Sequence, residues 1–207
     1  MNTHALSQAE AGGEPHHARA AGTALWLFMG VATTLFSLFI VAYAMRMLDA
    51  PDWSPITLPP QLWLSTALLI AGSVLMQRAG ALALAGKPAA MRAMLVGGGA
   101  AAAAFVGSQL WGWQLLIDQR VMLGANPAAS FFYVLTALHG LHVLGGLVAW
   151  SVAAQALSQP AAELPGSAWR IVLCGRYWHF LLVVWVALFA ALALLTPEVV
   201  RFICGRG

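Results

Sequence analysis

The sequence predicts an all-α integral membrane protein, a five-transmembrane-helix bundle with up-down connections. Five long apolar runs, a shortage of charge and breaker residues between the runs carry this reading. Of the 207 residues, 61% are hydrophobic and 8% charged, whereas a soluble domain carries about 25% charged residues. Most of this surface is therefore built to avoid water. A bilayer core takes about 20 apolar residues per helix, and the runs fall at about 20–45, 59–78, 91–117, 130–157 and 169–195.

The connections carry turn residues in each case. They contain Pro51, Pro55 and Pro59-Pro60, then Gly86-Lys87-Pro88, then Gly124-Ala125-Asn126-Pro127, then Pro160 and Pro165-Gly166. Proline stops helices and favours turns. No linker is long enough to separate two domains, so residues 20–197 read as one transmembrane domain between an N-terminal tail, 1–19, and a C-terminal tail, 198–207.

The N-terminal tail is polar and lacks a basic stretch leading into a short apolar core, so the first run reads as a retained anchor and not as a cleaved signal. His4, His16 and His17 in it read as solvated side chains before they read as metal ligands. Cys174 and Cys204 lie about thirty residues apart, roughly 45 Å along a helix, too far for a disulfide. The net charge of +3 comes from scattered basic residues. Nucleic-acid binding needs a clustered basic face, so it is not expected. With five crossings, Arg19, Arg78, Lys87, Arg92, Arg170 and Arg176 fall on the side of the N-terminus, and Arg46, Arg120, Arg201 and Arg206 on the other. That bias places the N-terminus in the cytoplasm.

The few polar residues inside the runs are the candidates for function. His139 and His142 share one helix face, with Thr136 one turn earlier, and His179 opens the last run beside Trp178. Imidazole in a membrane is costly without a partner or a task. It binds haem iron, copper or zinc, so a redox protein holding haem or copper through His139, His142 and His179 is one reading. The other is that each imidazole hydrogen-bonds a neighbouring helix. No carboxylate lies nearby in sequence to orient the rings, which weakens the metal case. Every acidic residue falls in a loop or tail, against a pump or transporter acting alone. Gln109, Gln114 and Thr66 read as groups that join helices. The tryptophans and tyrosines read as interfacial belts. Gly97-Gly98-Gly99 and Ala100–Ala104 allow close helix approach, inside this bundle or against another subunit.

Several segments in register resemble subunit III of the haem-copper respiratory oxidases, in its short five-helix form. They are Trp26-Leu27-Phe28-Met29 through Tyr43, Leu64-Ser65-Thr66 through Ser73, Gln109-Leu110-Trp111, Phe131-Phe132 through Thr136, His139-Gly140-Leu141-His142-Val143, and Tyr177-Trp178-His179-Phe180 through Trp185. The resemblance runs from about Gly22 to Leu195. It implies a cytochrome c oxidase subunit III-like fold and structural roles for Gln109, Thr136, His139, Gly140, His142, Trp178, His179 and Trp185. Three family carboxylate positions hold Ala32, Gly112 and Leu182 here, so the family's carboxylate-dependent roles in proton delivery and headgroup binding are not expected.

The resemblance further implies a non-catalytic subunit of a bacterial terminal oxidase, oxidising cytochrome c or quinol, in the cytoplasmic (inner) membrane. It binds no cofactor itself. Haem and copper belong to the catalytic subunit I it packs beside, with subunit II and membrane lipids as further partners. A nitric oxide reductase accessory protein is the alternative within the family.

Overall fold

The computed structural model describes residues 3–49, 53–54, 56–124, 126–158, 160 and 164–203, and the side chains of these residues except 3–16, 164, 165, 167 and 203. The chain is all-α. Its elements are α1 (Thr3–Asp49), α2 (Gln61–Leu84), α3 (Pro88–Asp118), α4 (Pro127–Ala154) with a 3₁₀ turn at Gln155–Ser158, α5 (Leu164–Leu194) and the short α6 (Pro197–Ile203). Among the described residues, five helices are long and apolar enough to cross a membrane, the first counted from His17.

Turn chemistry written in the sequence ends these helices. α2 closes in a Schellman motif, with Gly86 at φ 65°, Lys87 N–H on the Leu82 carbonyl and Gly86 N–H on the Ala83 carbonyl. Glycine suits that left-handed position because it has no Cβ to clash. Pro88 then starts α3, where its missing N–H is no loss. Asn126 caps α4 by accepting the Ala129 N–H at 2.8 Å, and its amide nitrogen bonds Ser54 Oγ at 3.0 Å. α3 ends the same way as α2, yet with Arg120 at φ 61° in the glycine position; Val121 N–H reaches the Leu116 carbonyl at 2.9 Å.

Two expected tails are helical. α1 starts at Thr3, although residues 1–19 read as a tail. Ala5, Ala9, Ala11, Ala18, Ala20 and Ala21 supply the strongest helix former along that stretch. At the other end, α6 occupies most of the region read as the tail 198–207. Thr196 Oγ1 accepts the Val199 N–H at 3.4 Å, Pro197 takes the first helical position, and Val200 buries against Tyr43 and Met47 of α1. Beside the cap, the Thr196 hydroxyl also holds the Glu198 carboxyl below its ordinary pKa. The pairing expected to be absent between Cys174 and Cys204 lies outside the described residues, because it involves Cys204; Cys174 is a buried free thiol.

α5 is the centre of the bundle. It packs on α1, α2 and α4, while α2 pairs most extensively with α3. Trp178, Leu181, Trp185 and Leu188 on α5 are fully or almost fully buried. The small residues of α3 serve the interior: Gly98 lies under the Met76 side chain of α2, and Gly99 lies directly under the Trp150 indole of α4. Outward, the surface is as apolar as the core, with Leu27 69%, Trp63 70% and Val183 67% exposed. Hydrocarbon is the solvent such a surface requires.

Candidate functional site

The polar side chains in the spans form a set of cross-helix hydrogen bonds, donated mostly by indoles and phenols. Trp185 Nε1 of α5 donates to Thr66 Oγ1 of α2 at 2.9 Å. Trp113 Nε1 of α3 donates to Thr136 Oγ1 of α4 at 3.2 Å, while Thr136 Oγ1 donates to the Phe132 carbonyl one turn back at 2.7 Å. Trp150 Nε1 of α4 donates to the Leu95 carbonyl of α3 at 2.8 Å. Tyr177 OH of α5 donates to the His142 carbonyl of α4 at 3.0 Å. Ser65 and Ser108 join α2 to α3 at 2.9 Å. In hydrocarbon no water competes for these groups, so each polar atom is held to a protein partner or left unsatisfied.

The tryptophans read as an interfacial belt are thus divided. Trp26, Trp63 and Trp111 face outward, whereas Trp178 and Trp185 are core residues. Trp113 and Trp150 act as interior donors. Trp178 Nε1 itself is buried without a hydrogen-bond partner. An indole supplies a large apolar body with one donor, which suits a helix interface as well as a headgroup region. Sequence position alone does not separate the two uses.

The three span histidines do different things. His179 Nδ1 is hydrogen-bonded to Ser73 Oγ, tying α5 to α2. His142 Nδ1 donates to the Leu138 carbonyl of its own helix at 2.7 Å, with its ring beside Phe28 and Phe36 of α1. His139 is 0% exposed, and neither ring nitrogen has a hydrogen-bond partner. Its neighbours are aromatic: Trp185 at 5.1 Å between ring centroids, Phe105 at 5.8 Å and Phe36 at 6.4 Å. The hydrogen bond expected of His139 from sequence is therefore not formed; α1, α3 and α5 instead present it with rings.

A buried polar group without a partner costs about 1–3 kcal/mol. His139→Leu, of similar volume, is accordingly expected to unfold at the same temperature as the parent chain or higher, in a thermal melt in detergent. A clear fall in that temperature would mean that the imidazole has a polar partner.

Among the described residues, no group of three or more His, Cys, Asp or Glu side chains is placed to hold a metal ion. His179 turns to α2, His142 to its own backbone and His139 to the aromatic core, so the set His139, His142 and His179 does not converge. The three positions that the resemblance matches to family carboxylates are closely packed. Ala32 is buried, Gly112 lies 3.7 Å from Gln61 Cβ when a Cβ is built on it, and Leu182 packs half-buried on the main core.

The remaining family-motif positions lie along the α3–α4 groove. Gln109, Thr136 and Gly140 line an apolar cleft of about 280 Å³ with Phe105 and Trp113. Gln109 Nε2 has no partner there. Gln114 bonds Asp118 on its own helix at 3.1 Å. Of the three groups expected to join helices, Thr66 alone does so. Trp113, Trp150 and Tyr177 do so without having been singled out for that role; the only sequence signal for them is aromatic residues with a donor atom inside an apolar run.

No family model matches the chain. Among characterised sequences it is similar to a Nocardia farcinica protein named probable cytochrome c oxidase subunit 3, with 30% identity over 181 residues, 83% of this chain and 85% of that protein. It is similar to cytochrome bo(3) ubiquinol oxidase subunit 3 of Pseudomonas aeruginosa, 26% identical over 202 residues, 94% of this chain and 96% of that protein. Cytochrome c oxidase subunit 3 of Alkalihalophilus pseudofirmus is 28% identical over 177 residues, 82% of this chain and 84% of that protein. A likeness that covers four-fifths or more of both chains, joined to an all-α structure with five helices fit to cross a bilayer, decides the matter: this multi-pass membrane protein belongs to the subunit III family of the haem-copper respiratory oxidases.

Proposed function

We propose that this chain is the non-catalytic subunit III of a bacterial haem-copper terminal oxidase, and that it supports the assembly and stability of the catalytic subunit. The observation that carries the reading is the similarity, over four-fifths or more of the chain, to proteins named subunit 3 of both cytochrome c and ubiquinol oxidases. The interior agrees with a packing role. The indoles of Trp113, Trp150 and Trp185 join helices there, and no span carboxylate stands at positions 32, 112 or 182. Haem and copper would belong to subunit I, with subunit II completing the complex. The bias of Arg and Lys supports a cytoplasmic N-terminus in the inner membrane. His139, His142, Trp178 and His179 would then serve architecture, with His179 as the one imidazole bridging helices.

The test is affinity capture of the tagged chain from its own cells in mild detergent. A larger haem-containing subunit with a Soret band should co-elute, and the chain purified alone should be colourless and free of copper. A stable complex without any haem protein would refute the oxidase assignment. Stoichiometric haem or copper on the lone chain would refute the non-catalytic role.

A further inference from the structure

Where α1 and α5 end and α6 begins, the chain encloses a cavity of about 600 Å³, a volume within the range of small-molecule pockets. Its wall carries Tyr43 of α1, Trp53 of the loop that follows, Thr196 and Glu198. Most of the remaining wall is apolar, with Ile56, Leu58 and Leu192. Tyr43 is 5% exposed, yet its hydroxyl forms no hydrogen bond among the described residues. A buried hydroxyl in a folded protein nearly always has a partner. The open space beside this one is the cavity.

The fold sets these groups around one space. Val200 of α6 buries against Tyr43 and Met47, which carries Glu198, two residues earlier, to the same wall as the Tyr43 ring. Tyr43 meets Trp53 edge-on at 5.3 Å between ring centroids and Phe131 of α4 at 5.6 Å, so aromatic neighbours fix its position. Glu198 is exposed. Arg201, one turn further along α6, acts on it electrostatically but does not line the cavity. A carboxylate, a free phenolic oxygen and an indole above an apolar floor are complementary to a cation that also donates hydrogen bonds. A protonated primary amine is such a cation. It offers N–H groups to Glu198 and Tyr43 and a charge beside the rings. A zwitterionic lipid headgroup has the same ammonium but sets a phosphate next to it, which Glu198 repels. The geometry therefore favours a free amine.

We propose that this cavity binds a protonated primary amine carried on a short apolar arm, with Glu198 as its counter-charge, Tyr43 Oη as a hydrogen-bond acceptor and Trp53 as its aromatic wall. This goes beyond the oxidase assignment and rests on residues of this chain alone.

The experiment is isothermal titration calorimetry of the full chain in a maltoside detergent near neutral pH. The probe is phenethylamine, and uncharged phenethyl alcohol is its match in shape. The chain should bind the amine about tenfold more tightly than the alcohol, the preference expected of one exposed ion pair and one cation–aromatic contact together. Glu198→Gln should weaken the amine about fivefold and leave the alcohol unchanged. Tyr43→Phe, which keeps the ring, should weaken the amine about threefold. Asp118→Asn removes a negative charge that does not line the cavity and should leave amine binding as it is. Dihexanoyl phosphatidylethanolamine at the concentration of the amine should not compete. Heat no greater than that of empty micelles, equal binding of amine and alcohol, or an unchanged amine affinity in Glu198→Gln overturns the proposal. Unchanged affinity in Tyr43→Phe overturns the hydroxyl as acceptor, and competition by the phospholipid overturns the free amine as the ligand. Because the lone chain is used, failure to capture a haem subunit in cells leaves this result standing, and the reverse also holds.

Discussion

Trp185→Ala is expected to destabilise the chain by about 3 kcal/mol, the lower end of the range for emptying a buried aromatic site. Trp185 is 1% exposed, stacks on Phe189, meets Phe105 edge-on at 5.3 Å and lies 5.1 Å from His139. The lower end applies because lipid is itself apolar, so the transfer part of the usual cost largely falls away. What remains is the cavity and the lost dispersion contacts, which the rigid rings around it fill poorly. Trp185→Phe keeps a ring and loses the bond to Thr66, so about 0.6 kcal/mol should be lost, the average for such bonds in membranes. Unfolding of both variants in detergent, followed by circular dichroism, measures the difference. Equal stability of the Ala and Phe variants would show that the packing around Trp185 is not as described.

Gly99→Val should be the most damaging change on α3. A Cβ at this position falls on the Trp150 indole, so the ring must leave its place and with it the 2.8 Å bond to the Leu95 carbonyl. Overpacking of a filled interior costs about 1–3 kcal/mol. The specific signature is coupling. Trp150→Ala should also destabilise, yet Gly99→Val with Trp150→Ala should be more stable than the sum of the two losses, since the second change removes the clash. Additive losses in that double-mutant cycle would place the two residues apart and overturn the α3–α4 contact.

Legibility differed from one feature to the next, and the differences have physical causes. Gly86-Lys87-Pro88 and Asn126-Pro127 could be read as turns from the sequence because glycine, asparagine and proline each carry their conformational preference locally. Arg120 could not, because the left-handed conformation it adopts is imposed by the α3 terminus around it and no glycine advertises it. The α6 helix was hidden for a similar reason. Its cap, Thr196-Pro197, is local, but the helix is held by Val200 reaching Tyr43 and Met47 on α1, more than 150 residues earlier. The wiring of the candidate residues was not legible. The motif residues gather between α2, α3, α4 and α5, yet the imidazoles thought to bridge helices do so only at His179.

The sequence was enough for the all-α class, the five apolar helices and the family. Composition, run length and turn residues act over a few positions, so they need no knowledge of distant segments. Helix packing put α5 at the centre, made Trp113, Trp150 and Trp185 interior donors, and enclosed His139 in rings. Those outcomes depend on how each helix is rotated and which neighbour it meets. In hydrocarbon, where the lipid is as apolar as the core, that rotation follows from close packing and donor-acceptor matching between remote residues rather than from a hydrophobic face written along one helix.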